Sequence, residues 1–127
     1  MLVKVVILWQ NPCSDELILE NIDKIKADEM YNPFYNILKQ GTGTLMYDGS
    51  WNLFDQIVMT PNAINQKKSK DYTSLKYWKS QVFRRDYLFQ DEGKYKGSPK
   101  RTHASGVWLN GFSDHLPVVV YLVKEQK

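Results

Sequence analysis

The chain has 127 residues, of which 43% are hydrophobic and 24% are charged, and its formal net charge is +3. These values are typical of a folded globular domain and exclude an intrinsically disordered chain. The small charge excess also excludes the dense basic face of a dedicated nucleic-acid-binding protein. The single cysteine, Cys13, excludes an intramolecular disulfide and a cysteine-based metal cluster. We therefore predict one domain over residues 1–127.

The first part of the chain predicts a strand followed by a helix. Residues 3–8 are almost all aliphatic, as in a strand covered on both faces, and this stretch is too short to span a membrane. Ser14 is a suitable N-cap, and three isoleucines then form one apolar stripe, Ile18, Ile22 and Ile25. We expect one main helix over residues 15–27 and no membrane partner.

The rest of the chain predicts a mostly antiparallel sheet. Asp48-Gly49 is a strong hairpin signal, because both residues tolerate positive φ. Residues 31–35 indicate an aromatic-rich loop or short helical turn, and residues 84–111 a long polar loop with little periodicity. The predicted strands of this part are residues 42–47, 51–60, 76–83 and 116–123. The fold class is therefore α/β (α+β), with one sheet face lacking cover.

Asp114 and His115 are the first candidates for chemistry. They lie between Gly111 and Pro117, where a loop meets the last predicted strand, and neighbouring side chains can converge at such a junction. A carboxylate there can bind a hard cation, and a neutral imidazole can take a proton from water. Asp55 lies in an apolar segment and needs a partner, for which a histidine nitrogen is suitable. On spacing alone, a structural or surface role for these residues stays open.

Arg101 and His103 are weaker candidates, for contacts with a substrate. Both lie in the long polar loop. For His103, a solvated loop position is favoured over a contact with a substrate.

Two segments resemble motifs of the endonuclease/exonuclease/phosphatase superfamily, which has the type I deoxyribonuclease-like fold. Residues 111–118 closely resemble its G-[YF]-S-D-H-x-P-V signature, and residues 51–59 resemble its W-N-x-[IL]-D-x-[IL] strand. Residues 30–38 and Arg101-Thr102 are similar to segments of bacterial members, especially the Bacteroides-type branch. The resemblance implies half of a four-layer α/β/β/α sandwich, with this chain as the C-terminal half.

The resemblance also implies roles for individual residues. By position, His115 is the catalytic imidazole, Asp55 orients it, and Asp114 is a ligand of a divalent metal, usually magnesium. The implied substrate is a phosphodiester or phosphomonoester, hydrolysed with the help of that metal.

The chain departs from the family pattern near its beginning. The family has G-D-[FW]-N after its corresponding strand, whereas Leu8 is followed by Trp9-Gln10-Asn11-Pro12. Asn11 is a weak substitute for that asparagine, and the family's metal-binding glutamate has no counterpart, which predicts weakened or lost magnesium binding. The alternative is therefore a catalytically inactive, truncated family member. An uncovered sheet face further predicts a homodimer, or association with a missing N-terminal half.

Overall fold

A computed structural model describes residues 25–64 and 71–126 of the chain. Its secondary structure there is mostly β-strand, with one short α-helix, α1 (Tyr35–Lys39), and two 3₁₀ helices (Pro61–Ala63 and Asp86–Leu88). Both hairpins in this part of the chain are antiparallel. The predicted excess of antiparallel strands is confirmed, and the low helix content is consistent with an α/β or β-rich domain.

The described residues divide into two compact units. The site unit comprises Pro33–Ile57 and Ser80–Val120. The second unit comprises Val58–Lys79 together with the described residues before Pro33 and after Val120.

The first hairpin of the site unit joins β1 (Leu45–Tyr47) to β2 (Ser50–Asn52). The residues Asp48 and Gly49 turn the chain with φ values of 47° and 74°, as a type I′ turn requires, which confirms the predicted turn.

The strand predicted at residues 51–60 is wrong beyond Asn52. Leu53 leaves the hairpin and is only 7% exposed in the core. The backbone N–H of Asp55 then donates to the side-chain hydroxyl of Thr44 instead of to a neighbouring strand.

The region predicted as a long loop carries its own structure. A second hairpin pairs β4 (His103–Ala104) with β5 (Val107–Trp108), through a turn at Ser105-Gly106 with φ values of 50° and 78°. The expectation of little structure here is therefore wrong, because a two-residue turn closes a hairpin too short to show periodicity.

Before that hairpin, residues 90–98 form a loop that is closed at its base. Phe89 pairs with Pro99 in an isolated antiparallel bridge, and the backbone N–H of Gln90 donates to Ser98 O over 2.9 Å. Residues 91–97 beyond this neck are exposed.

The last two strands pair with each other. β3 (Lys76–Val82) and β6 (Val118–Val123) form a two-stranded sheet, close to the predicted residues 76–83 and 116–123. The last strand begins later than predicted because Leu116 and Pro117 make other contacts: the N–H of Leu116 donates to Thr44 O, and Pro117 has no N–H.

The core of the site unit is a small cluster of apolar side chains. Its buried members are at most 7% exposed: Phe34, Leu53, Val82 and Leu116. Partly buried residues pack around it, including Ile37 of α1, which ties this five-residue helix to the core.

The second unit has its own contacts. Tyr31 and Met59 exchange two backbone hydrogen bonds of 2.7 and 2.9 Å, and Tyr31 packs edge-on against Tyr77. The ammonium of Lys79 lies 4.5 Å from the ring centroid of Trp78.

Several predictions concern residues outside the described ranges. The strand at residues 3–8 and most of the helix over residues 15–27 lie there. Residues 25–27 are described and are not helical, because the chain turns where Glu29 N–H donates to Lys26 O. In the part of the chain that the structure describes, no helix is long and apolar enough to cross a membrane.

Candidate active site

The segment of residues 111–117 begins with a glycine for a steric reason. A Cβ added at Gly111 would lie 2.5 Å from the carbonyl carbon of Lys100, and closer still to the carbonyl oxygens of Lys100 and Arg101. The next residue, Phe112, donates its N–H to Lys100 O over 2.8 Å. Any side chain at Gly111 would push this segment away from its neighbour.

A turn built on Ser113 then presents the two candidate residues. The Ser113 hydroxyl accepts the backbone N–H of His115 over 3.0 Å, which leaves Asp114 exposed at the outside of the turn. Directly afterwards, Leu116 is 2% exposed and anchors the segment in the core. A hydroxyl turn and a buried leucine thus fix the backbone on both sides of His115.

His115 and Asp55 meet in the structure, although 60 positions separate them in the chain. His115 Nδ1 lies 2.6 Å from Asp55 Oδ2, and the two side chains are 36% and 37% exposed. The pair is half-buried, so it is held by protein on one side and open to a ligand on the other.

The third member of this arrangement is Thr44, which the sequence reading missed. Thr44 is fully buried, and its backbone N–H and C=O bond to Asn52 and Leu116 over 2.8 and 2.7 Å. Its hydroxyl accepts the N–H of Asp55 at 3.4 Å. Thr44 therefore connects both sequence motifs. The one available signal was its position inside the strand predicted at residues 42–47, the first strand of the predicted hairpin.

Two neighbouring features of the W-N motif support this frame. A Cβ at Gly43 would lie 2.5 Å from Asn52 O, so only glycine allows the chain to approach β2 so closely. Trp51 packs edge-on against Phe89. The guanidinium of Arg84 lies 4.5 Å from the ring centroid of Trp51. Trp51 thus serves packing in the site unit.

The environment of Asp55 favours its charged form. Burial by itself would raise the pKa of this carboxyl, but hydrogen bonds from Thr44 and His115 and the charge of His115 outweigh it and lower the pKa. An ionised carboxylate only accepts hydrogen bonds, so His115 Nδ1 carries the hydrogen. In the neutral ring, Nε2 is then the proton acceptor.

Asp114 fits a hard cation by the chemistry of its side chain. Among residues 25–64 and 71–126, no three histidine, cysteine or acidic side chains form a metal-binding group. Magnesium is commonly held by one or two carboxylates, with water and substrate phosphate as its other ligands. Asp114 is an exposed oxygen donor of this kind.

The two weaker candidates, Arg101 and His103, each contact an aromatic ring. The guanidinium of Arg101 lies 5.9 Å from the ring centroid of Tyr95, and His103 packs edge-on against Trp108 at 4.7 Å between centroids. Asn11 lies outside the described residues. The structure therefore brings Asp55 and His115 together and gives Arg101 and His103 aromatic neighbours.

Comparisons with known proteins agree with the two motifs. No curated protein and no solved structure matches the chain. A family model described as the endonuclease/exonuclease/phosphatase family matches residues 9–124, which include Asp55, Asp114 and His115. The chain therefore belongs to the endonuclease/exonuclease/phosphatase family.

Proposed function

We propose that the chain is a metal-dependent phosphoesterase that hydrolyses phosphodiester or phosphomonoester bonds. Its family membership indicates a nuclease or phosphoesterase type of function. The observation that carries the finer proposal is the 2.6 Å contact between His115 Nδ1 and Asp55 Oδ2. This contact holds the imidazole ring of His115, which belongs to the motif of residues 111–118.

In this proposal His115 handles the proton and Asp55 holds the ring. The Asp55 carboxylate keeps the hydrogen on Nδ1, so Nε2 can take a proton from water or return one to a leaving oxygen. The negative charge of Asp55 also stabilises the imidazolium that this transfer produces, as a buried aspartate does for other catalytic histidines.

Asp114 is the protein ligand that we propose for magnesium. Bound magnesium would polarise the phosphate and offset the charge that develops on its oxygens. The exposed position of Asp114, one residue before His115, supports this role.

The test is hydrolysis of bis(p-nitrophenyl) phosphate and p-nitrophenyl phosphate with and without added magnesium. We expect magnesium-dependent release of nitrophenol, reduced at least about tenfold by Asp114→Asn, as expected for loss of a metal contact. The matched control is Asp48→Asn. Asp48 is an exposed aspartate in the β1–β2 turn, and asparagine tolerates the positive φ of this position. If the wild type releases no nitrophenol with either ester, the alternative of a catalytically inactive family member replaces this proposal.

We also propose that the chain associates with a second polypeptide, either a copy of itself or a partner that supplies the family's metal-binding glutamate. Apolar side chains in the second unit are exposed, with Leu75 at 55%, Trp78 at 60% and Leu122 at 43%. Sedimentation at micromolar concentration should give about twice the mass of one chain for a homodimer, and Trp78→Glu should reduce it. The proposal would be contradicted if the chain sedimented as a monomer and also failed to bind an added polypeptide that carries the family's metal-binding glutamate.

A further inference from the structure

Two exposed aromatic rings lie together in the site unit. Tyr87 and Phe112 are 59% and 64% exposed, yet their rings pack edge-on with centroids 5.7 Å apart and an interplanar angle of 71°. Paired rings in this geometry hold each other in place. The core of the unit does not include either ring, so packing of the fold does not account for them.

The backbone fixes this ring pair in position. Lys100 donates its N–H to Leu88 O over 2.7 Å, beside Tyr87, and accepts the N–H of Phe112 over 2.8 Å. Gly111 lies against the backbone of Lys100 and Arg101, where no side chain fits. The two rings are therefore presented by a preorganised scaffold, and a ligand would not have to order them.

Phe112 of this ring pair is close to His115 along the chain. Phe112 precedes His115 by three residues, so their Cα atoms are at most about 11 Å apart. The Ser113 turn between them shortens the path, because its hydroxyl accepts the N–H of His115. A phosphate beside His115 would place its next organic group within reach of Phe112.

We propose that Tyr87 and Phe112 form a subsite for a planar aromatic or heteroaromatic ring, such as a nucleobase, carried by the phosphoester. This subsite rests on the proposed phosphoesterase function and adds a substrate class to it. Aromatic side chains stack on any base because every base has a π-face. The segment whose backbone bonds to Leu88 and Phe112 carries the consecutive cations Lys100 and Arg101, which favours an anionic ligand over a neutral apolar peptide.

The experiment compares two ligands that share a ribose and a phosphate and differ in the base. Calorimetry with magnesium present measures the dissociation constants of adenosine 5′-monophosphate and ribose 5-phosphate. The wild type should bind the nucleotide about 5- to 150-fold more tightly, the range for stacking on one base. Phe112→Leu and Tyr87→Leu should each cut this preference to about twofold or less and leave ribose 5-phosphate binding unchanged.

The matched control is Tyr47→Leu, which removes a 75% exposed ring from the β1–β2 hairpin of the same unit. It should leave both dissociation constants unchanged. Equal binding of the two ligands by the wild type, or no binding of the nucleotide, would overturn the subsite. An equal loss of both ligands in the ring variants would overturn it as well. The subsite would also be overturned if Phe112→Leu dissociated an oligomer while the preference for the nucleotide stayed the same.

Hydrolysis of bis(p-nitrophenyl) phosphate by the same preparations separates the two proposals. Hydrolysis by a wild type without preference for the nucleotide overturns the subsite alone. A preference lost in Phe112→Leu, in a protein that hydrolyses neither ester, overturns the proposed activity alone.

Discussion

Around His115 three chain segments converge on one ring, whereas around His103 a single short hairpin carries the ring. Thr44 and Asp55 hold the first histidine through a chain of hydrogen bonds, beside the buried Leu116. His103 is exposed and packs edge-on against Trp108, its partner in the β4–β5 register. A carboxylate partner selects one ring nitrogen for the proton, and an aromatic edge does not. The partner of a histidine, more than its exposure, therefore determines which ring nitrogen is free to accept a proton.

Removing each histidine ring in turn should give the largest difference between the two regions. His115→Ala should lower magnesium-dependent hydrolysis of bis(p-nitrophenyl) phosphate about 10²- to 10⁴-fold, the usual contribution of a general acid–base group. His103→Ala should stay within about twofold, since its ring contacts only Trp108 among the described aromatic pairs. Equal losses in the two variants would show that the geometry around His115 has no special role.

The residues that support the two histidines should also differ in their contribution to the free energy of unfolding. Leu116→Ala should lower the free energy of unfolding by about 2–5 kcal/mol, because it leaves a cavity beside Phe34 and Leu53. The matched change in the hairpin, Val107→Ala, removes a side chain that is 59% exposed and should cost less than about 0.5 kcal/mol. Urea unfolding of both variants measures the difference, and similar midpoints would contradict the assignment of the core.

A smaller effect should come from the hydroxyl of Thr44. Thr44→Val removes a hydrogen bond that lowers the pKa of Asp55, which should cost about 1 kcal/mol at neutral pH. Because the folded-state pKa of Asp55 lies below its unfolded value, its contribution is present above about pH 4. It is lost as the pH falls through the lowered folded value.

The valine variant should therefore begin acid unfolding at a higher pH than the wild type, and Thr44→Ser should restore the original midpoint. Circular dichroism from pH 7 to pH 2 follows this transition. If valine and serine behave alike, Thr44 acts through its shape alone and the hydroxyl has no part in holding Asp55.

Features that depend on neighbouring residues could be predicted from the sequence. Asp48-Gly49 turns the chain as expected, since positive φ at both positions is a local property. The pairing of Asp55 with a histidine was also expected, because an aspartate in an apolar segment needs a partner. The contact at 2.6 Å confirms that pairing, while the catalytic roles of the two residues stay predictions.

Features set by distant backbone and packing contacts could not be predicted, unlike the pairing of Asp55 with a histidine, which followed from the chemistry of the two side chains. α1 is five residues long, has no side-chain hydrogen bond at its N-cap and no acidic residue in its first turn, so its sequence carries no start signal. The burial of Thr44 depends on Asn52 and Leu116, 8 and 72 positions later in the chain. By contrast, Ser105-Gly106 is a recognisable turn dipeptide, and the hairpin around it could have been found.

The hydrogen bonds between Gln90 and residues 97 and 98 close a loop that can vary in length. The N–H of Gln90 donates to Ser98 O over 2.9 Å, and its carbonyl accepts the N–H of Gly97 over 2.8 Å. Lys100, whose backbone bonds to Leu88 and Phe112, follows this closure in the chain. Insertions into residues 91–97 would therefore leave the spacing of Tyr87 and Phe112 intact. Doubling the length of such a loop costs only about 0.6 kcal/mol. Residues 91–97 are thus a place where evolution, or a protein engineer, can insert new segments without changing the backbone contacts that position Tyr87 and Phe112.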